Sequence, residues 1–305
     1  MYLSSPIGPS KLTSRLVGTS IAFLFASLAY RCGCWPMRAE TNSGTILDRI
    51  VEARRAAIEH RKRLLPEAVL RIGVTKAEPV RNFAAALTRD ALNVIAELKK
   101  ASPSRGVLRE DFDPKALALQ FERAGAVALS VLTEEGFFQG SLKDMRAARA
   151  ACALPVLRKD FIVDPWQVWE ARATNADSFL LMVAILPDRA LRELLALGHE
   201  LGIEPLVEVH TREELSRALE ARARIVGVNN RDLRNMEVRL ETSLELIEAV
   251  PDECIAVSES GIRSPADLVR LRSAGFDAFL IGEHLMGSPD PAAALQHLLG
   301  TGAEG

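Results

Sequence analysis

Cysteine, aromatic residues and unbalanced charge are all in short supply in this 305-residue chain. Cys32 and Cys34 form a C-x-C pair, closer than the spacing usual in zinc sites. Cys152 and Cys254 stand in apolar segments and read as small buried hydrophobes. Such usage fits a reducing compartment, so a cytoplasmic location is expected. A formal charge of −2 with pI near 6.3 excludes the basic profile of a nucleic-acid-binding domain. No strand–GxGxxG–helix fingerprint occurs, and the five histidines are scattered, with only His210 close to a polar strand end. No metal constellation, Ser-His-Asp set or activated cysteine stands out.

Acidic residues are also missing before Glu40, although Lys11, Arg15, Arg31 and Arg38 lie there. Between Arg15 and Arg31 runs LVGTSIAFLFASLAY, apolar enough for a signal-peptide core and short for a membrane span. Ser27 to Ala29 matches a cleavage site only loosely. Three readings stay open: translation starting at Met37, a cleaved targeting peptide, or a membrane anchor. Residues 1–40 are therefore set apart as an N-terminal extension, and the fold is read from 45–300.

What is present there is a rhythm. ILDRIVEARRAAIEHRKRLL aligns Ile46, Ile50, Ala53 and Ala57 on a helical stripe flanked by Leu47, Val51 and Ile58, and Pro66 ends the 45–66 helix. The run Arg61-Lys62-Arg63 reads as a solvated face. A shorter helix is expected at about 79–88. Runs rich in Val, Ile and Leu then recur near 94–99, 127–132, 155–159, 178–183, 204–209, 225–229, 254–258 and 278–282. Their near-continuous apolar character suits strands covered on both faces. Between them, Asp113-Pro114, Asp164-Pro165 and Ser264-Pro265 pair an N-cap with proline at the first helical position. Thr211 with Glu214 has the form of a capping box, and Gly125 and Gly275 suit helix C-termini. Eight such units predict an α/β fold, a (β/α)8 TIM barrel with an N-terminal helical extension.

In that architecture, chemistry sits at the C-terminal strand ends. Glu97 and Lys99 end the first strand, Lys159 the third and Glu208 the fifth. Asn229 ends the sixth, with Arg231 two residues on. Side-chain alternation puts Glu97 and Lys99 on the face of Ile95, pointing into the barrel mouth, while Val94, Ala96 and Leu98 meet the outer helices. A single charged strand end is ordinary; several converging on one cavity perturb one another's proton affinities. After the seventh strand comes SESGI, after the eighth IGEHLM. Glycines 261 and 282 there let an anion approach backbone amides, in the positions where many barrels bind phosphate. The residues alone imply an enzyme acting on a small phosphorylated anion by acid–base chemistry.

AELKKASPSRG, LRKDFIVDPWQV, LVEVHTREEL, VGVNNRDL, VSESGI and FLIGEHLM together resemble the blocks of the indole-3-glycerol phosphate synthase family, in order, over about residues 45–299. The resemblance implies conversion of 1-(2-carboxyphenylamino)-1-deoxyribulose 5-phosphate to indole-3-glycerol phosphate in tryptophan biosynthesis, with no cofactor and no metal. It assigns Lys159 as general acid in ring closure and Glu208 as acid/base partner in dehydration. Glu97 matches a residue positioning the substrate nitrogen, and Lys99 one holding the substrate anion and taking part in proton transfer. Asn229 and Arg231 match contacts to the anthranilate part. Ser102, Ser260, Gly261, Gly282 and Glu283 fall at substrate- or phosphate-contacting positions. Some members carry serine where Glu283 stands; a phosphate contact through the backbone amide tolerates that change, whereas a carboxylate side chain beside a phosphate does not suit it. A monomer is expected, with association with other enzymes of the pathway as an option. The alternatives are a phosphoribosylanthranilate isomerase-type barrel, which wants a cysteine–aspartate pair at strand ends, and a catalytically silent barrel serving an interaction.

Overall fold

A computed structural model describes Met1 and residues 44–232 and 235–301. Cys32, Cys34, Met37 and the apolar N-terminal stretch lie outside the described residues.

Eight parallel strands close into a barrel. They are β1 (Asn93–Leu98), β2 (Ala128–Leu132), β3 (Val156–Lys159), β4 (Ser178–Met182), β5 (Leu206–Val209), β6 (Ile225–Asn229), β7 (Ile255–Glu259) and β8 (Ala278–Ile281). β1 closes the ring by pairing with β8, Ile95 opposite Leu280, and with β2 on its other side. Every strand sends at least one apolar side chain inward, among them Ile95, Ala128, Leu157, Leu180, Leu206, Ile225, Val257 and Leu280. The other parity, with Val94, Ala96 and Leu98, packs under the outer helices as expected. This two-faced burial is why the strands lack polar alternation.

Three helices precede the barrel: α1 (Ile46–Leu64), α2 (Glu67–Thr75) and α3 (Phe83–Leu87). α2 was not anticipated, because Pro66 reads as a stop; it instead serves as N-cap of the next helix. Around the barrel run α4 (Pro114–Arg123), α5 (Leu142–Ala151), α6 (Pro165–Ala173), α7 (Asp188–Glu200), α8 (Arg212–Glu220), α9 (Glu241–Leu246), α10 (Pro265–Ala274), α11 (Glu283–Met286) and α12 (Pro291–Leu299). Asp113, Asp164 and Ser264 cap as predicted, and Gly275 ends α10 in the left-handed region at φ 115°. At α8 only half of the capping box forms. Thr211 accepts from the Glu214 amide, but the Glu214 carboxylate is taken by His210 instead.

The buried face of α1 is Leu47, Ile50, Arg54 and Ile58, one position away from the predicted stripe, and Ala53 is exposed. An arginine holds a core position there because it is paired. Arg54 reaches Asp160 at 2.5 Å and Glu135 at 2.8 Å, in the loops after β3 and β2, which fixes α1 over the C-terminal end of the barrel. Asp160 also binds Thr133 at 2.6 Å and Arg158 at 3.0 Å. Burial alone would raise its proton affinity, yet Arg54, Arg158 and Thr133 hold it below the usual carboxylate range. The basic run is an exposed face only at Arg63: Arg61 pairs with Glu170 and lies over the Trp166 ring, while Lys62 pairs with Asp164. The run clamps α1 onto α6. Replacing Arg54 by leucine should cost about 3 kcal/mol, the low end for a broken buried pair because Arg158 and Thr133 still hold Asp160. A shift of the urea midpoint reads this; an unchanged midpoint would mean that the pair contributes nothing.

Candidate active site

Glu97, Lys99, Ser102, Lys159, Glu208, Asn229, Arg231, Ser260, Gly261, Gly282 and Glu283 all line one cavity of about 510 Å³ at the C-terminal barrel mouth. At its floor the Nζ of Lys159 lies 2.8 Å from Glu208 and 2.6 Å from Glu259. β3, β5 and β7 deliver these groups from alternate strands, so their side chains converge at one level. Glu97 stands beside them on β1, accepting from Lys99 at 2.7 Å and from the Ser130 hydroxyl at 3.4 Å.

Two glycines make room for the carboxylates. A Cβ on Gly227 would lie 2.2 Å from Oε1 of Glu259, and one on Gly282 2.3 Å from Oε1 of Glu97. The sequence suggested that Gly282 serves an approaching anion; its first constraint is the Glu97 side chain. Gly282→Ala should therefore push Glu97 off its position and cut kcat by about a hundred-fold, with little change in melting temperature. Parental turnover in that variant would mean that the position of Glu97 is unimportant.

Burial disfavours charge on Lys159, but Glu208, Glu259 and Glu97 more than offset it, holding the lysine protonated well above its usual range. The carboxylates diverge. Burial would raise Glu208, yet Lys159 and His210 keep it below its ordinary value. Glu259 is pushed up to about 7, by burial first and then by repulsion from Glu208 and Glu97 against the pull of Lys159. One ammonium thus sits between a carboxylate and a carboxyl that titrates near neutrality, so donor and acceptor are adjacent in one buried cluster.

The cavity wall beside this cluster is apolar, built from Leu132, Phe138, Phe161, Leu180 and Met182. Phe138 is set there by Glu134, whose carboxylate accepts the amides of Gly136, Phe137 and Phe138. Across the mouth, Ser260 and Gly261 both have positive φ, 66° and 84°, turning the chain after β7. Arg231 binds the Glu283 carboxylate at 2.8 Å, and Arg105 lies 3.7 Å from it. In this arrangement Glu283 faces cations, so its side chain is already engaged.

A family model described as indole-3-glycerol phosphate synthase matches residues 47–298. The chain belongs to the indole-3-glycerol phosphate synthase family. An indole-3-glycerol phosphate synthase of Aromatoleum aromaticum is 49% identical over 260 residues, covering 84% of this chain and 99% of that protein. One of Dehalococcoides mccartyi is 50% identical over 258 residues, covering 83% of this chain and 100% of that protein. Among solved structures, a 3-hexulose-6-phosphate synthase aligns with TM-score 0.52 at 16% identity, covering 70% of this chain and all of that one. A mutant tryptophan synthase α-subunit of Pyrococcus furiosus aligns with TM-score 0.53 at 16% identity, over 68% of this chain and 98% of that one. At such identity these structures speak for the barrel alone.

As a member of the indole-3-glycerol phosphate synthase family, the chain is a carbon–carbon lyase of tryptophan biosynthesis. The two cysteines among the described residues do not suit an isomerase-type site. Cys152 follows α5, and Cys254, which is half-buried and not buried as expected, precedes β7 at the opposite end from the cavity. Sequence reasoning passed over Glu259 by treating it as part of a loop. The available signal was parity, since Glu259 shares the inward face of Val257. The apolar wall was also missed, because its residues come from four strands or loops and form no local pattern.

Proposed function

We propose that the cavity binds 1-(2-carboxyphenylamino)-1-deoxyribulose 5-phosphate and converts it to indole-3-glycerol phosphate. The observation that carries this reading is Lys159 held between Glu208 and Glu259 beneath an apolar wall. The substrate's benzoate ring suits that wall, and its phosphate suits the amides of the Ser260–Gly261 and Gly282–Glu283 turns. Family membership supports a phosphorylated small molecule as substrate.

The aromatic carbon bearing the carboxylate attacks the ribulose carbonyl, and Lys159 donates a proton to the carbonyl oxygen as it becomes an alcohol. An alkoxide is more basic than an amine, so the transfer runs downhill even from a lysine held strongly protonated. Carbon dioxide then leaves, and its bonding electrons restore the ring. Glu208, once it has taken up a proton, gives it to the hydroxyl, which departs as water, and a proton leaves the carbon beside the nitrogen. Glu97 steadies the cationic nitrogen of this stage, and Lys99 holds the substrate anion and exchanges protons with Glu97 at 2.7 Å. Asn229 and Arg231 face the anthranilate carboxylate, Arg231 exchanging Glu283 for it. Ser102 contacts the substrate from the loop after β1, and Glu283 contributes its backbone amide. The unpaired thiols of Cys152 and Cys254 suit a reducing, cytoplasmic setting.

Mixing purified protein with this substrate should raise indole fluorescence. Folded protein that leaves the substrate unchanged would overturn the reading.

A further inference from the structure

The proposed reaction consumes one proton per turnover. Two protons enter, one onto the carbonyl oxygen and one onto the departing hydroxyl, and one returns from the carbon beside the nitrogen. The ionised carboxylate leaves as carbon dioxide without a proton. Each turnover therefore takes up one proton from solvent, and Glu208, which passes it to the hydroxyl, is only 1% exposed.

Behind Glu208 lies a second cavity of about 880 Å³, between the loop after β5 and the segment leading into α9. Exposed Arg212, Glu237, Arg239 and Glu241 line it, so it opens to water. Asn229 borders both cavities, and His210 lines the second. The Nε2 of His210 lies 3.5 Å from Oε1 of Glu208, and neither atom has a hydrogen-bond partner among the described residues. Oε1 is the oxygen that Lys159 leaves free, since Lys159 holds Oε2. On the outer side, Nδ1 of His210 lies 3.2 Å from Glu214, whose carboxylate also accepts the His210 amide at 2.7 Å and so fixes the ring.

We propose that His210 is a proton relay, carrying the proton that each turnover consumes from the second cavity to Oε1 of Glu208. It touches no substrate and acts through Glu208. An imidazole suits this task because it can accept a proton on one nitrogen while releasing one from the other. Carboxylates face it from three elements: Glu208 on β5, Glu214 on α8 and Glu259 on β7, with Lys159 beyond Glu208 and Arg212 at the cavity rim. Burial works against its charged form, but Glu214, Glu208 and Glu259 outweigh that and raise its proton affinity above the ordinary histidine value. The relay thus keeps its proton to higher pH than an ordinary histidine and loses it as pH rises further, so kcat should fall along an alkaline limb.

The inference rests on the proposed reaction, and the test separates the two. In the full chain, His210→Gln keeps an amide able to donate towards Glu208 but cannot carry a proton through. Glu208 rests ionised, so indole formation by the variant should slow about tenfold or more in single and multiple turnovers alike, while carbon dioxide release in the first turnover stays within about twofold of the parent and KM changes little. The alkaline limb should vanish, and added imidazole, entering the second cavity, should restore kcat. Glu214→Gln provides a second check, since removing that charge should move the limb to lower pH. Parental kcat in His210→Gln, carbon dioxide release slowed as much as indole formation, or a loss that imidazole does not restore, would overturn the relay. A parent that forms no indole would instead overturn the reaction itself.

Discussion

Replacing Lys159 with alanine is expected to lower kcat about a thousand-fold or more while substrate still binds. Lys159 is the only cation in hydrogen-bonding contact with both Glu208 and Glu259 among the described residues. Without it the carbonyl oxygen has no ammonium donor, and ring closure would have to form a free alkoxide in a buried site. The fold should survive, because Glu208 and Glu259 can each respond to the loss by holding a proton. Glu259 already titrates at about 7 with the lysine present. Binding measured by substrate protection against urea should change little, since the phosphate and carboxylate contacts lie elsewhere in the mouth. Turnover within a few-fold of the parent would remove Lys159 from its role.

The second large effect is expected at Glu208. Glu208→Gln should slow indole formation by about a hundred- to ten thousand-fold, but at a different step. Ring closure and loss of carbon dioxide use Lys159, which the glutamine leaves protonated beside Glu259. Dehydration needs a group that gives a proton to the hydroxyl, and a glutamine has none to give. The variant should therefore release carbon dioxide faster than it forms indole and accumulate a product one water heavier, visible by mass spectrometry. Carbon dioxide and indole slowing together, with no hydrated species, would place Glu208 at an earlier step or in binding only.

The barrel and its leading helix are legible in the sequence because both arise from local periodicity. Apolar runs such as Leu129–Leu132 or Ile225–Val228 can be placed only in strands covered on both sides. Proline-capped starts such as Asp164-Pro165 mark the helices between them. The polar strand ends were legible for a related reason, since a charge closing an apolar strand must reach solvent, a partner or a substrate. Pairing is where local reading fails. Arg54 looks like a surface residue until Asp160, over a hundred positions away, is seen beside it. Glu259 gains its meaning from Lys159 and from the missing side chain of Gly227, and neither relation is visible along the chain. The same holds for His210, whose neighbours Glu208 and Glu214 are close in sequence but whose access to a second cavity is set by the segment leading into α9.

The most direct test of the account is a mass balance on substrate labelled with ¹³C in its carboxylate. The purified protein should release one labelled carbon dioxide for each unlabelled indole-3-glycerol phosphate formed. Label retained in a ring-closed product, or carbon dioxide released without any indole, would contradict it.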